Sequence, residues 1–282
     1  FLYHKTKEPL WLTRARLVAD YYWNKRNPTT QLIPDRPNAG EERFDGSHFD
    51  TAITAFLCHR LLVAGQLTGD PEFTRQAVAY LKAYATYGYD EQRGRFWGSL
   101  RLDGTPEPGP RARDEYAQYE PRGYVDLWQP YAAGYEHPIA TAQTYALAAE
   151  LSQDDLLLST ARRWADVIHR DFPPARCEPE AWYKEYSVSW APHGTYAEHY
   201  GRTISFFLHL AAVTGQKQYQ QFAREVAQEA VSKLYYRGLF RGHPCKPYYE
   251  AMDGVGYLLY ALLQLDQALN PSSEVVLSRD NM

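Results

Sequence analysis

The chain has 282 residues, 45% of them hydrophobic, with a formal net charge of −4. That supplies apolar material for a substantial core, while the charge lacks the basic excess that counterion release demands of a nucleic-acid binder. No window reaches the roughly 18 uninterrupted apolar residues of a membrane span, and residues 1–30 lack a signal-peptide layout, so neither nucleic acid nor membrane is an expected partner and no compartment is assigned.

In chain order, four segments share one phase: "TKEPLWLTRARLVAD" from Thr6, "TGDPEFTRQAVAYLK" from Thr68, "SQDDLLLSTARRWAD" from Ser152 and "TGQKQYQQFAREVAQ" from Thr214. Each has an alanine nine positions on (Ala15, Ala77, Ala161, Ala223), and the starts lie 62, 84 and 62 residues apart. A hydroxyl residue, then small, polar or proline positions, then a 3.6-period apolar stripe reads as the opening of an amphipathic helix. More apolar helices are expected over about 49–67, 137–151, 197–213 and 248–266. A helix buried on every side alternating with one buried along a stripe is what two concentric layers require. The pattern predicts an all-α fold, an (α/α) toroid of tandem inner and outer helix pairs or a curved α-solenoid. The toroid is expected as one domain over 1–268, with a surface tail over 269–282. Residues 1–5 sit where the tail of an inner helix sits in other copies, so the fold is expected to begin upstream of Phe1.

Three links, "RNPTTQLIP", "YDEQRGRFWGSL" and "LYYRGLFRG", read as tight turns or small hairpins. Two insertions, 101–134 and 173–194, are rich in Pro, Arg and aromatic residues and read as a lid or binding loop, or as surface excursions.

Registering the inner helices on one another brings out the chemistry. Glu136 and His137 take the same repeat position as Glu198 and His199, 62 residues on, and Glu250 follows after 52 more. A tyrosine stands by each glutamate: Tyr135, Tyr196 and Tyr249. The first copy departs, with Ala52 at that position and Asp45, His48 and Asp50 just before it. In a toroid these helix fronts meet at one mouth of the central cavity, where helix N-termini also favour anions. The plainer reading is that first-turn glutamates are capping residues. Weighed against it are the neighbours His199, Tyr200, Arg202, His243 and Asp253, which with Glu136, Glu198 and Glu250 make the candidate catalytic set. Asp45, His48, Trp97, Tyr124, Trp128, Tyr135, His137, Tyr196, Arg241 and Tyr249 are the candidate substrate-binding residues. No cofactor is assigned beyond a divalent metal ion that His137, His199 and Glu198 are candidates to hold.

His59, His169 and His209 read as structural, and Cys58, Cys177 and Cys245 as isolated thiols without metal-knuckle or disulfide spacing. With 24 Tyr and 7 Trp against 2 Met, the chain is rich in side chains whose flat apolar face and polar edge suit sugar rings as well as ordinary cores.

The "GDPEF" helix start with "YDEQRGRFWGSLRLDGTP", "HGTYAEHYGRTISFFLHL" and "YYEAMDGVGYLLYALLQLD" resembles the α/α-toroid carbohydrate-active enzymes. These include pectate-lyase-type toroids, N-acyl-glucosamine epimerase-like proteins and toroid arabinofuranosidases. The resemblance covers most of the chain as helical phase and short motifs. Against the arabinofuranosidase type, which carries a metal-binding Glu and Cys near "YAE", this chain has Tyr200 two positions after Glu198. The pectate-lyase type implies an Arg base beside a His/Glu metal site, residue types that Arg202, His199 and Glu198 provide. A lyase needs a base for the proton α to a uronate carboxylate and cations to stabilise the enolate. A hydrolase needs two carboxyl groups about 5–5.5 Å or 6.5–9.5 Å apart, for which Glu136, Glu198, Glu250 and Asp253 are candidates. The Arg, His and Tyr content of the mouth favours an acidic, uronate-containing oligo- or polysaccharide cleaved by β-elimination. The alternatives are a glycoside hydrolase, an epimerase using His137 and His199, and a non-catalytic helical-repeat binding module.

Overall fold

Four times along the chain, one helix closes on a hydroxyl residue and the next opens within three residues. The computed structural model describes residues 1–35, 48–109, 122–128, 137–172, 195–246, 248–249, 253–270 and 277–282. In it α1 (Leu2–Thr6) is followed by α2 (Pro9–Lys25), α3 (His59–Thr68) by α4 (Pro71–Tyr87), α5 (Pro138–Ser152) by α6 (Asp155–Asp171), and α7 (Ala197–Thr214) by α8 (Lys217–Leu234). Thr6, Thr68, Ser152 and Thr214 each donate a hydroxyl hydrogen bond of 2.6–2.9 Å to the carbonyl four residues back. The next residue, Lys7, Gly69, Gln153 or Gly215, is left-handed, with φ between 53° and 73°. These hydroxyl residues therefore end inner helices, which corrects the expectation that they open outer ones. Where a side chain caps the outer helix, it is Asp70 accepting from the Glu72 amide, or Asp154 accepting from Leu156 and Leu157.

The chain divides into two units, residues 1–126 with 135–160, and residues 127–134 with 161–282. In the first, a π-helical stretch (Ile53–Cys58) leads into α3. Residues 49 and 50, expected in that helix, instead belong to β1 (His48–Asp50), because the Asp50 carboxylate accepts the Ala52 amide at 2.8 Å and starts the helix there. β1 runs antiparallel to β4 (Ser99–Arg101), and β2 (Tyr89–Asp90) and β3 (Arg95–Phe96) form a hairpin from one of the expected links. Every residue of α5 from Pro138 to Ala149 is buried, as an inner helix requires. Its small residues allow close approach to the π-helical stretch, and hydroxyls fill the seam. Thr54 and Thr141 meet at 3.0 Å, and Thr141 donates to the Thr51 carbonyl at 3.1 Å. The first copy departs at Ala15, which is exposed on α2 where Ala77 of α4 is fully buried.

Lys82 of α4 holds Asp154 at 2.5 Å. Burial alone would raise the Asp154 carboxyl, but Lys82 and the two capping amides outweigh it and hold it below the usual carboxylate range. Asp154→Ala is expected to cost about 1 kcal/mol at neutral pH. A depressed folded-state value contributes stability above the unfolded value, about 3.9. The gap between parent and variant in urea melts should therefore close as pH falls below it.

In the second unit α7 is buried along most of its length, and α8 lays the stripe Tyr219, Ala223, Val226, Ala227, Ala230 and Leu234 against it. β5 (Tyr235–Tyr236) and β6 (Leu239–Phe240) form the hairpin expected from "LYYRGLFRG". The last inner helix, α9 (Val255–Leu269), begins seven residues later than expected. Gly254, just before it, is left-handed (φ 77°), outside helical geometry, and packs directly on the Cβ of Glu198. α7 and α9 cross at Gly201, where a methyl group would overlap the backbone of Tyr257 and Leu258. Gly201→Ala should therefore destabilise the protein by about 1–3 kcal/mol through overpacking, read as a lower urea midpoint.

The expected surface tail is anchored at its end. Asn281 is buried, its amide donating to Ser205 Oγ at 2.8 Å and to the Tyr257 carbonyl at 3.0 Å, which satisfies polar groups at the α7–α9 crossing. Among the described residues no helix is long and apolar enough to cross a membrane.

Candidate active site

The front of α7 in the second unit carries the densest set of chemistry-bearing groups. Tyr196 is the N-cap in extended geometry (φ −76°, ψ 162°), and its amide donates to Nδ1 of His199 at 3.2 Å. That contact is half of a capping box, with histidine in the place usually held by Glu or Gln. It also has a chemical consequence. An amide hydrogen aimed at Nδ1 demands a lone pair there, so the ring proton sits on Nε2 and His199 is held as a neutral donor. His199 is half-buried, with the edges of Trp128 and Tyr196 packed against it, ring centroids at 5.8 and 5.7 Å.

Beneath this front lies a buried polar layer. The Ala197 amide donates to the Gly242 carbonyl at 2.8 Å, which brings the 242–246 turn under α7. His243 is buried against the Tyr196 ring at 4.7 Å, and its Nδ1 accepts the Cys245 amide at 3.2 Å. Lys246 sits 5.5 Å over the same tyrosine ring and pairs with Asp253 at 2.6 Å, the two side chains being only 6% and 4% exposed. Glu198, half-buried, accepts from Arg202 Nε at 2.6 Å, while Arg202 stacks on Tyr257 at 4.1 Å.

Several expected residues have other duties. Tyr200 is wholly buried on the α8 side, accepting from Thr195 and donating to Glu229 at 2.8 Å, and burial pushes its phenol far above its ordinary value, which suits packing and not proton abstraction. Arg202, expected as a catalytic cation, is spent on Glu198 and Tyr257. Trp128, expected as a sugar platform, is buried edge-on to Phe172 with its indole N–H on the Asp171 carbonyl. Arg241 binds the carbonyls of Lys233 and Lys246 and ties the hairpin to the turn beneath it. Tyr249 is exposed, its hydroxyl on the Tyr236 carbonyl.

In the first unit, Trp97 and Tyr124 stack on one another at 4.1 Å, and Tyr124 donates to Asp90 at 2.6 Å. That bond lowers the Asp90 carboxyl and raises the tyrosine. His48 lies 3.7 Å from Asp50, and His137, the N-cap of α5, packs on the half-exposed ring of Phe56. His59 and His209 are buried in inner helices, and His169 packs on Phe222. Cys58 is buried, which pushes its thiol well up. Asp45, Tyr135, Glu136, Glu250 and Cys177 lie outside the described residues.

The divalent metal implied by the pectate-lyase resemblance was tested against the donors. Among the described residues no group of three or more His, Cys, Asp or Glu is placed to hold an ion. Glu198 already serves Arg202, so the described donors do not fit a metal. Lys246 was not among the expected site residues. The available signal was a lysine in a stretch without acidic residues, seven before a candidate aspartate.

The profile of the family described as periplasmic pectate lyase matches residues 46–278. No curated protein matches the chain. Among solved structures, a family 76 glycoside hydrolase from a bovine Bacteroides thetaiotaomicron strain is similar over 93% of this chain and 53% of its own, at 15% identity and a TM-score of 0.54. The unsaturated glucuronyl hydrolase of Bacillus sp. GL1, responsible for the degradation of glycosaminoglycan, is similar over 94% and 71%, at 18% identity and 0.57. Cellobiose 2-epimerase from Spirochaeta thermophila DSM 6192 is similar over 95% and 67%, at 13% and 0.54. The chain thus spans about half of the first of these and some two thirds of the others. These likenesses establish the fold class as the α/α toroid expected from the helix pattern.

Proposed function

Because the chain belongs to the periplasmic pectate lyase family of carbohydrate-active enzymes, we propose that it cleaves uronate-containing oligo- or polysaccharides by β-elimination at the front of α7. The observation that carries this reading is the state of the ionisable groups there. Both described carboxylates of the set, Glu198 and Asp253, are committed to cations, whereas the half-buried His199 is fixed as the Nε2–H tautomer. A glycosidase pair needs one carboxyl group to give a proton and the other free as base or nucleophile, whereas both of these carboxylates are engaged in ion pairs.

In elimination, the proton α to the uronate carboxylate leaves, its electron pair spreads into that carboxylate, and the C4–O bond breaks to give a C4–C5 double bond. His199 donates Nε2–H to the uronate carboxylate and stabilises the charge that builds on it. Being neutral, it does so without itself giving up a proton. The buried Lys246–Asp253 pair and His243 are positioning groups: they fix the Tyr196 ring, and Tyr196 in turn fixes His199. Glu250, of the same unit, stays in the proposal as the carboxylate that takes the proton and returns one to the departing oxygen.

The test is incubation with pectate, alginate and neutral glycans, with and without divalent metal, following the ultraviolet absorbance of unsaturated uronates. Growth of that band on an acidic glycan is the expected result. Reducing sugar without it would make the protein a hydrolase, and no product from any glycan would leave a binding module.

A further inference from the structure

Between Glu229 and Glu250 the chain carries Lys233, Arg237, Arg241 and Lys246, five Tyr or Phe residues and no acidic residue, in a protein whose overall charge is −4. The β5–β6 hairpin and the residues beside it bring four tyrosines to the surface: Tyr235, Tyr236, Tyr248 and Tyr249 are 40–54% exposed. Arg237 and Arg241 place their guanidinium groups 5.0 and 5.2 Å from the centroid of the Tyr236 ring. Arg241 is tied to backbone carbonyls, whereas Arg237 is exposed at the hairpin tip.

The tip itself is informative. Arg237 and Gly238 both have positive φ, 47° and 93°, the two-residue turn that favours Asn followed by Gly. A side chain with an ordinary Cβ is disfavoured in that conformation, so backbone preference does not account for arginine here. Its planar fork, steadied on a tyrosine face, is suited to a carboxylate.

We infer that the β5–β6 hairpin, with Arg237 at its tip and Tyr236, Tyr248 and Tyr249 around it, is an accessory binding surface for the polyuronate chain. A polyuronate matches the surface in two respects. Its carboxylates complement the exposed Arg237 and Lys233, and the C–H faces of its sugar rings stack on exposed tyrosines. The inference rests on the proposed acidic-glycan substrate for its choice of ligand, and the two are tested by separate readouts.

The experiment is affinity electrophoresis of the full chain through gels containing polygalacturonate, its methyl ester or neutral dextran, alongside thermal unfolding. Polygalacturonate alone should retard the parent. Arg237→Asn should weaken that binding about five- to tenfold, the loss of one charge-assisted contact, while its melting temperature stays equal or rises because asparagine suits the turn. Arg237→Lys should recover part of the binding. Unchanged binding by Arg237→Asn, equal retardation by the methyl ester, or equally good competition by polyglutamate or single-stranded DNA would each overturn the assignment. Arg237-dependent binding by a parent that forms no unsaturated product would sink the lyase reading and keep this surface. Product formation with Arg237-independent binding would do the reverse.

Discussion

Lys246→Met should lower the stability of the protein by about 3–5 kcal/mol, the usual cost of leaving one member of a buried ion pair without its partner. Lys246 and Asp253 meet at 2.6 Å with both side chains almost wholly removed from solvent, so deleting the ammonium takes from a buried carboxylate the cation it pairs with. Urea unfolding measures the loss. The pair as a whole contributes far less than its broken half suggests, since desolvating two ions offsets most of their attraction. The double variant Lys246→Met with Asp253→Leu should therefore recover most of the lost stability. A single variant within 1 kcal/mol of the parent would mean that Asp253 has water or another cation to turn to.

His199→Glu should remove elimination activity by about 100- to 1000-fold in kcat/KM, as expected for loss of one donor to a developing oxyanion. Its stability should stay within about 0.5 kcal/mol of the parent. The split follows from the two nitrogens. Nδ1 serves the Tyr196 amide, a duty that Glu at this helix position performs equally well, while the Nε2–H donor has no counterpart in a carboxylate. His199→Ala loses both functions and should cost about 1 kcal/mol in addition to the activity. Absorbance of unsaturated uronate and thermal unfolding read the two quantities separately. A Glu variant of full activity would reduce His199 to a capping residue.

Much of the helical frame was legible because burial imposes period and composition together. The all-apolar run at 137–151 and the striped one after Thr214 became α5 and α8 within a few residues. The hairpins were legible from their glycines. Less so was the job of each polar residue, because neighbours in sequence diverge by about 100° around a helix. His199 reaches back to the Tyr196 amide, whereas Tyr200, the very next residue, points into the α8 seam toward Glu229. Arg202 and Glu198 are spaced for an i, i+4 pair, and that simple reading describes their contact better than a catalytic one. At the start of α9, Gly254 packs on Glu198, a tertiary contact between residues 56 apart that no local pattern encodes.

The recurring turn at Thr6, Thr68, Ser152 and Thr214 settles its own polar groups within a few residues, through the hydroxyl, the left-handed residue and the following amide. Each helical hairpin thereby carries short-range bonds at its corner and can form before distant parts of the chain arrive. Local closure of this kind lowers contact order and favours rapid, stepwise assembly. It also makes the hairpin a natural increment of duplication, since a copied pair brings its own corner with it and asks nothing new of its neighbours.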